Sequence, residues 1–428
     1  MNKLLPLLIS ITTLATPLQA EDLLQVTRYA LEQDQQLKIS RLGMEIKWQQ
    51  QQQAQAALLP SISSNATYDL NDSSRFSGEN RGESYGLSLT QKLYHRDSHK
   101  KLQQSQVLTE ESELALQLTL QQLLLRVATS YFDQLAAEDS LRLAVQEKSA
   151  VGEQLKQVQS HFNVGTSSMT DVQEVQARFD LVNAQRVSAK AAVENSREAL
   201  YEIIHRDLSP LQPLTDAVPL LQPVPNEVQQ WVGQALENSL TLRQLRKQVT
   251  SSKLSTEIAK SGYYPTLDLV GQLSRSENSN GNYGADNDSY SVGLQATLPL
   301  YTGGYTRAKV SEAMLLQQQS ETELERQKRS AVKTVRSDFL AVNTAIELVK
   351  AQTQALSSAQ TAFNAIQSGV EVGTRTTVDL LDAQKELYSA HRDLTQARYN
   401  LLLARLSLKY AAGILALSDI EAVNQLLY

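Results

Sequence analysis

Two carboxylates, Asp379 and Asp382, stand three residues apart, which sets both on one face of a helix. Arg375 precedes Asp379 by four, within the stretch VEVGTRTTVDLLDA at 370–383. An earlier stretch, FNVGTSSMTDVQEVQA at 162–177, carries Asp171 and Glu174 at the same spacing, again behind Val-Gly-Thr. Acidic residues lining a narrow passage would favour cations and repel anions. The same residues have an ordinary use, because acidic side chains favour the first turns of any helix and Arg375 could pair with Asp379 in its own helix. The residues by themselves leave both readings open.

No other set of residues is arranged for catalysis. The chain lacks a glycine-rich phosphate loop, an HExxH pair and a nucleophile elbow. Its five histidines, His95, His99, His161, His205 and His391, are scattered. His95 and His99 could meet across one helical turn, but a metal site needs at least three ligands and no third is evident. No metal or cofactor is expected, and the chain is not read as an enzyme. A formal net charge of −6 argues against nucleic acid as a partner.

The acidic pairs need a helical hairpin to hold them. From about His95 to Asn163 there is no Pro and one Gly, Gly152, so a single helix there would run on the order of 100 Å. Val151, Leu155, Val158 and Phe162 before the first turn, and Val172, Val175, Phe179 and Val182 after it, are spaced as narrow heptad seams. Leu356, Ala359, Phe363 and Ile366, then Val378 and Leu381, repeat this around the second turn. Gly165 and Gly373 sit where a tight helix–helix turn needs a permissive backbone, and Thr166 and Thr374 are expected to cap the returning helices. The tips fall near 163–171 and 370–379.

Four segments alternate with a period of two. Over 61–70, Ile62, Ala66, Tyr68 and Leu70 oppose Ser61, Ser63, Asn65, Thr67 and Asp69; residues 84–94 do the same. Leu267, Leu269 and Leu273, and Tyr290 through Leu300, repeat it. Ten-residue alternating strands flanked by Tyr68, Tyr85, Tyr94, Tyr263, Tyr264, Tyr290 and Tyr301 suit a membrane barrel with an aromatic girdle. Long polar loops are expected at 71–83 and 274–288. Four strands leave open edges and cannot close a barrel alone, so several chains must share it.

The chain is a duplication. Ala30-Leu31-Glu32 matches Ala235-Leu236-Glu237, Pro60 matches Pro265, Tyr94 matches Tyr301, Phe132 matches Phe339, and Gly165 and Asp171 match Gly373 and Asp379. Residues 1–20 have the layout of a secretory signal peptide. A first repeat over 21–205 holds a hairpin at 61–94, a Pro-rich linker spans 206–227, and a second repeat over 228–428 holds a hairpin at 263–301. After Ala20 no stretch is long and apolar enough for a spanning helix; Leu401 to Leu417 is broken by Arg405 and Lys409. The chain has no Cys, hence neither disulfides nor a lipidated N-terminal Cys.

Together these stretches, with TVRSDF (334–339), LPLYTGG (298–304) and ARYNLLLARLSLKYAAG (397–413), resemble the TolC family of outer-membrane efflux proteins over nearly the whole mature chain. The resemblance implies a homotrimer with a shared 12-stranded β-barrel, four strands per chain, in outer-membrane lipid. The barrel would continue into a long α-helical coiled-coil tunnel in the periplasm. It implies that Asp379 and Asp382 line the narrowest point, and that Arg375 bonds to Thr170 and Asp171 as a latch. A Tyr that joins this latch in the family corresponds here to Val370, and the family's longer C-terminal tail has no counterpart after the final helix. Glu174 matches Asp382 between the repeats and would make the entrance more acidic. A periplasmic adaptor and an inner-membrane pump would dock at Val164, Gly165 and Thr166 and at Val372, Gly373 and Thr374. Drugs, bile salts or secreted proteins would then leave through the duct. A soluble periplasmic scaffold would leave the tyrosine-flanked strands unexplained, and a general diffusion porin would need far more strands per chain.

Overall fold

The computed structural model describes residues 20–71, 80–207, 209–215, 218–279 and 286–427. The leader segment, apart from Ala20, lies outside the described residues, as do 72–79 and 280–285 of the two polar loops. The elements run in the same order twice. Helices α1 (Leu23–Gln33) and α2 (Gln35–Ala56) lead to strands β1 (Ser61–Asn71) and β2 (Asn80–Tyr94), then to α3 (Arg96–Asn163) and α4 (Met169–Ile204). Helices α5 (Val228–Asn238) and α6 (Leu240–Lys260) lead to β3 (Thr266–Ser279) and β4 (Asn287–Thr297), then to α7 (Tyr305–Glu371), α8 (Thr377–Ala411) and a last short α9 (Leu417–Asn424).

Two helices, α1 and α2 or α5 and α6, precede each strand hairpin. The break falls at equivalent residues, Asp34 and Ser239, each of which flanks a helix as its cap residue. Pro60 and Pro265 then end the helical run and start β1 and β3, because Pro cannot continue a helix. The long helices agree with their Pro-free sequences: α3 has 68 residues and α7 has 67. Among the described residues no helix is long and apolar enough to cross a membrane.

The strands form one antiparallel sheet in the order β1-β2-β3-β4, so the outer edges of β1 and β4 are unpaired among the described residues. Register keeps each face uniform. Ile62 faces Leu89, Leu89 faces Gly271, and Gly271 faces Val292; Ser64, Leu87, Leu273 and Tyr290 form the next row. On the opposite face, Ser63, Ser88, Gln272 and Ser291 align. The strands outrun the alternating segments. β3 continues past Ser274 to Ser279, which pairs with Arg81 of β2, and β2 starts at Asn80, paired with Asn71 of β1, so both loops are shorter than the polar composition suggests.

Two compact units cut across the sequence halves. One comprises residues up to Gln35, Gln121–Val228 and those from Arg336 on; the other comprises Gln36–Leu120 and Gln229–Val335. The core of the first gathers Leu23, Val26, Tyr131, Phe132, Leu200, Ile204, Leu401, Leu402 and Ile420, all shielded from solvent. Phe132 stacks at a tilt on Tyr399, with ring centres 5.6 Å apart. The linker is tied into this unit. Arg405 Nη2 donates to the carbonyls of Pro219 and Leu221, and Tyr131 Oη donates to that of Gln212. The second unit holds the sheet, and Leu37, Trp231, Val232, Leu242 and Val249 are among its buried side chains.

Candidate functional site

Both Val-Gly-Thr turns are built alike and lie in the first unit. Gly165 (φ 81°) and Gly373 (φ 77°) take the left-handed conformation that a side chain resists. The following threonine closes the outgoing helix. Thr166 N and Oγ1 donate to His161 O at 2.8 and 3.1 Å, and Thr374 N and Oγ1 donate to Gly369 O at the same distances. The expectation that these threonines cap the returning helices is therefore wrong. Ser168 and Thr376 do so, because they stand three residues before an acid and form reciprocal capping boxes.

Asp171 and Asp379 are the acids of those boxes. Asp171 N donates to Ser168 Oγ at 3.1 Å, while its Oδ2 accepts from Ser168 N and Ser167 Oγ, each at 2.9 Å. Asp379 N donates to Thr376 Oγ1 at 3.1 Å, and its Oδ2 accepts from Thr376 N at 3.0 Å. These donors hold both carboxyls below the usual Asp range. For Asp171 the Ser168 backbone N–H leads, followed by the Ser167 and Ser168 hydroxyls. For Asp379 the Thr376 backbone N–H leads, then its hydroxyl, and Arg375 adds the weakest pull. The helix-start reading thus holds for both residues. Asp382 and Glu174 are different: both are exposed, and neither makes a hydrogen bond or ion pair among the described residues.

Arg375 is exposed, and its guanidinium has no hydrogen bond or ion pair among the described residues. Within the chain it bonds neither Thr170, which is exposed, nor Asp171. Val370 is half-buried at the end of α7. Val164 and Val372 project at the apices, each 74% exposed.

The seam of the first hairpin is as the spacing predicts, with one exchange. Val151, Val158, Val172, Val175 and Val182 form a buried cluster with Leu155 and Phe179 at its side, but Phe162 stays exposed. Leu381, expected in the seam of its own hairpin, joins this cluster and ties α8 to the first hairpin. An ionic knot does the same higher up. Glu147 of α3, 1% exposed, accepts from Arg178 of α4 at 2.6 Å and from Arg392 of α8 at 3.5 Å. Sequence reading missed this knot, since three charges from three helices leave no local pattern. It also passed over Ser168-x-x-Asp171 and Thr376-x-x-Asp379, whose capping-box spacing was visible. His95, weighed as a metal ligand, instead contacts carboxylates: Nε2 lies 2.9 Å from Asp268 Oδ1 and Nδ1 lies 3.6 Å from Asp97.

The sheet supplies the second part of the site. Ile62, Leu87, Leu273, Tyr290, Val292 and Leu294 lie exposed on one face. The other face is polar and internally bonded: Ser63 meets Ser88 and Ser274 meets Ser289, each at 2.7 Å between hydroxyls. A solvent-facing sheet would not bare this apolar face to water, whereas lipid would cover it.

Residues 26–205 and 231–414 match the family described as outer membrane efflux protein. The chain is 35% identical over 430 residues to outer membrane protein TolC of Vibrio cholerae, covering 99% of this chain and 98% of that one. It is 32% identical over 307 residues to the proteases secretion protein PrtF of Dickeya chrysanthemi, covering 70% and 66%. The crystal structure of the Campylobacter jejuni CmeC outer membrane channel superimposes with a TM-score of 0.80 at 17% identity, covering 96% of this chain and 91% of that one.

Proposed function

This chain belongs to the outer membrane efflux protein family and is an outer-membrane exit duct for efflux and secretion, and we propose how its residues close and open that duct. Three copies pair the free edge of β1 with that of β4 of the next, and four strands from each of three copies make a barrel of twelve. The apolar face carrying Val292 and Leu294 meets lipid, and the serine-rich face lines the lumen. The duct is passive and not an enzyme. The pump supplies the energy, because the chain has no nucleotide loop and no charge relay in a spanning helix.

The gate is at the tips. Asp379 and Asp382, one turn apart on α8, form two acidic rings around the axis. The latch joins neighbouring chains. Among the described residues the Arg375 guanidinium has no hydrogen-bond or ion-pair partner and the Asp171 carboxylate bonds through Oδ2, leaving Oδ1 open to a neighbour's guanidinium. A charge-assisted bond to Asp171, with Thr170 beside it, would hold each pair of hairpins shut. Val370 adds no polar link. The bare apices Val164-Gly165-Thr166 and Val372-Gly373-Thr374 are where a periplasmic adaptor and inner-membrane pump dock. Drugs, bile salts or proteins then pass out.

The observation that carries this reading is the unpartnered Arg375 beside two acidic residues at one tip. Conductance of the purified trimer in a planar bilayer tests it. Arg375→Ser is expected to raise conductance about tenfold or more, the loss of a hydrogen bond to a charged group. An unchanged conductance would remove the latch.

A further inference from the structure

Among the differences between the two tips, one pair of positions is reciprocal in size. The first has His161 at the end of its outgoing helix and Ser167 after the turn; the second has Gly369 and Arg375 at the equivalent places. Large and small residues have changed places. A Cβ built on Gly369 would lie 2.7 Å from Arg375 Cγ and 3.3 Å from its Cβ, so the stem of the arginine runs directly over the bare glycine. The backbone is drawn in as well. Gly369 O accepts from Thr374 N at 2.8 Å, from Thr374 Oγ1 at 3.1 Å and from Arg375 N at 3.1 Å. In the first tip, His161 O accepts both Thr166 donors, and no bond from Ser167 N joins them. Gly369 is helical, a place where Ala would normally be favoured by roughly 0.5–1 kcal/mol. An added methyl there would meet the Arg375 stem first, with Thr374 Oγ1 also near at 3.3 Å.

We propose that Gly369 is a positioning residue for the gate: its missing side chain opens the channel along which Arg375 folds back over the end of α7, and so aims the guanidinium at the neighbouring chain. The atom that would clash is Cγ, at the root of the side chain. A methyl at 369 therefore cannot be evaded by bending the far end, and χ1 of Arg375 must rotate away. The inference rests on the latch reading above.

The test is conductance of the purified trimer for wild type, Gly369→Ala, Arg375→Ser and the double variant. The expected result is that Gly369→Ala raises conductance as Arg375→Ser does, about tenfold or more, and that the double variant rises no further. A rise with Arg375→Ser and none with Gly369→Ala overturns the positioning role and leaves the latch standing. No rise with either removes the latch itself, and the proposal with it. Rises that multiply in the double variant also overturn it, because Gly369 would then act without Arg375. If Gly369→Ala alone fails to assemble, adding Arg375→Ser must restore the trimer, since the clashing atom is gone or free to turn; no restoration contradicts the proposal.

Discussion

Asp379 and Asp382 sit three residues apart yet are held differently. Asp379 is fixed in the capping box of α8, whereas Asp382 is exposed and unbonded. The aspartate six places after each glycine therefore has a local structural duty that both repeats share. Its titration follows from its donors. The folded carboxyls of Asp171 and Asp379 are held below the ordinary value of 3.8, so their caps are fully present well above that pH, and are lost as pH falls through the lowered folded value. Protection of the Asp171 and Asp379 amides against hydrogen exchange, corrected for intrinsic rates, should persist through mildly acidic pH; loss close to neutrality would contradict the capping role. Glu174 has no such duty. Glu174→Gln should weaken the cation preference of single channels without changing the fold, and unchanged selectivity would mean that it lies off the ion path. The acidic spacing was legible in the sequence. Which acid caps was also written there, as Ser-x-x-Asp and Thr-x-x-Asp, but the neighbouring Val-Gly-Thr drew the cap two residues too early. The position of Gly369 was not legible, because only coordinates show an arginine stem lying over it.

At the scale of elements, α8 is bound to the first hairpin by Leu381 below and by the Glu147 knot above. Removing one member of a buried pair is far more damaging than losing the pair, because the remaining charge stays desolvated; the typical cost is about 3–5 kcal/mol. Arg178 is 13% exposed and Arg392 33%, so Arg178 is the charge stranded more severely by Glu147→Gln. That variant should lower the thermal unfolding midpoint clearly more than Arg392→Gln does, and equal midpoints would deny the knot its place in the packing. The sheet makes a second prediction. Val292 is the middle residue of β4 on the apolar face, and Ser291 faces the polar side. Val292→Arg should reduce folding into lipid vesicles by about 2–4 kcal/mol, while Ser291→Arg should be tolerated. Similar losses for the two would place lipid on neither face. Long helices were legible because nothing interrupts them. Strand ends were not: the pairing of β2 with β3 continues through Arg81 and Ser279 with no apolar alternation, so polar strand read as loop. Phe162 fits the heptad but stays exposed, since the seam ends before the turn.

At the scale of the whole molecule, duplication supplies two matched hairpins and a sheet that cannot close on its own. The open edges of β1 and β4 are the strongest reason for several copies, and that was legible from four alternating segments in a chain this long. The tips then diverge: His161 and Ser167 in one, Gly369 and Arg375 in the other, so that only the second carries a guanidinium. In the gate we propose, the chemistry at the axis is carboxylate, and Asp382 is its cleanest reporter because no cap depends on it. The most direct measurement is the single-channel reversal potential of the purified trimer under a salt gradient, for wild type and Asp382→Asn. The wild type should give a small, cation-selective conductance, and neutralising Asp382 should move the reversal potential toward zero. A wide, unselective wild-type channel, or a reversal potential indifferent to Asp382→Asn, would contradict an acidic gate at the tips.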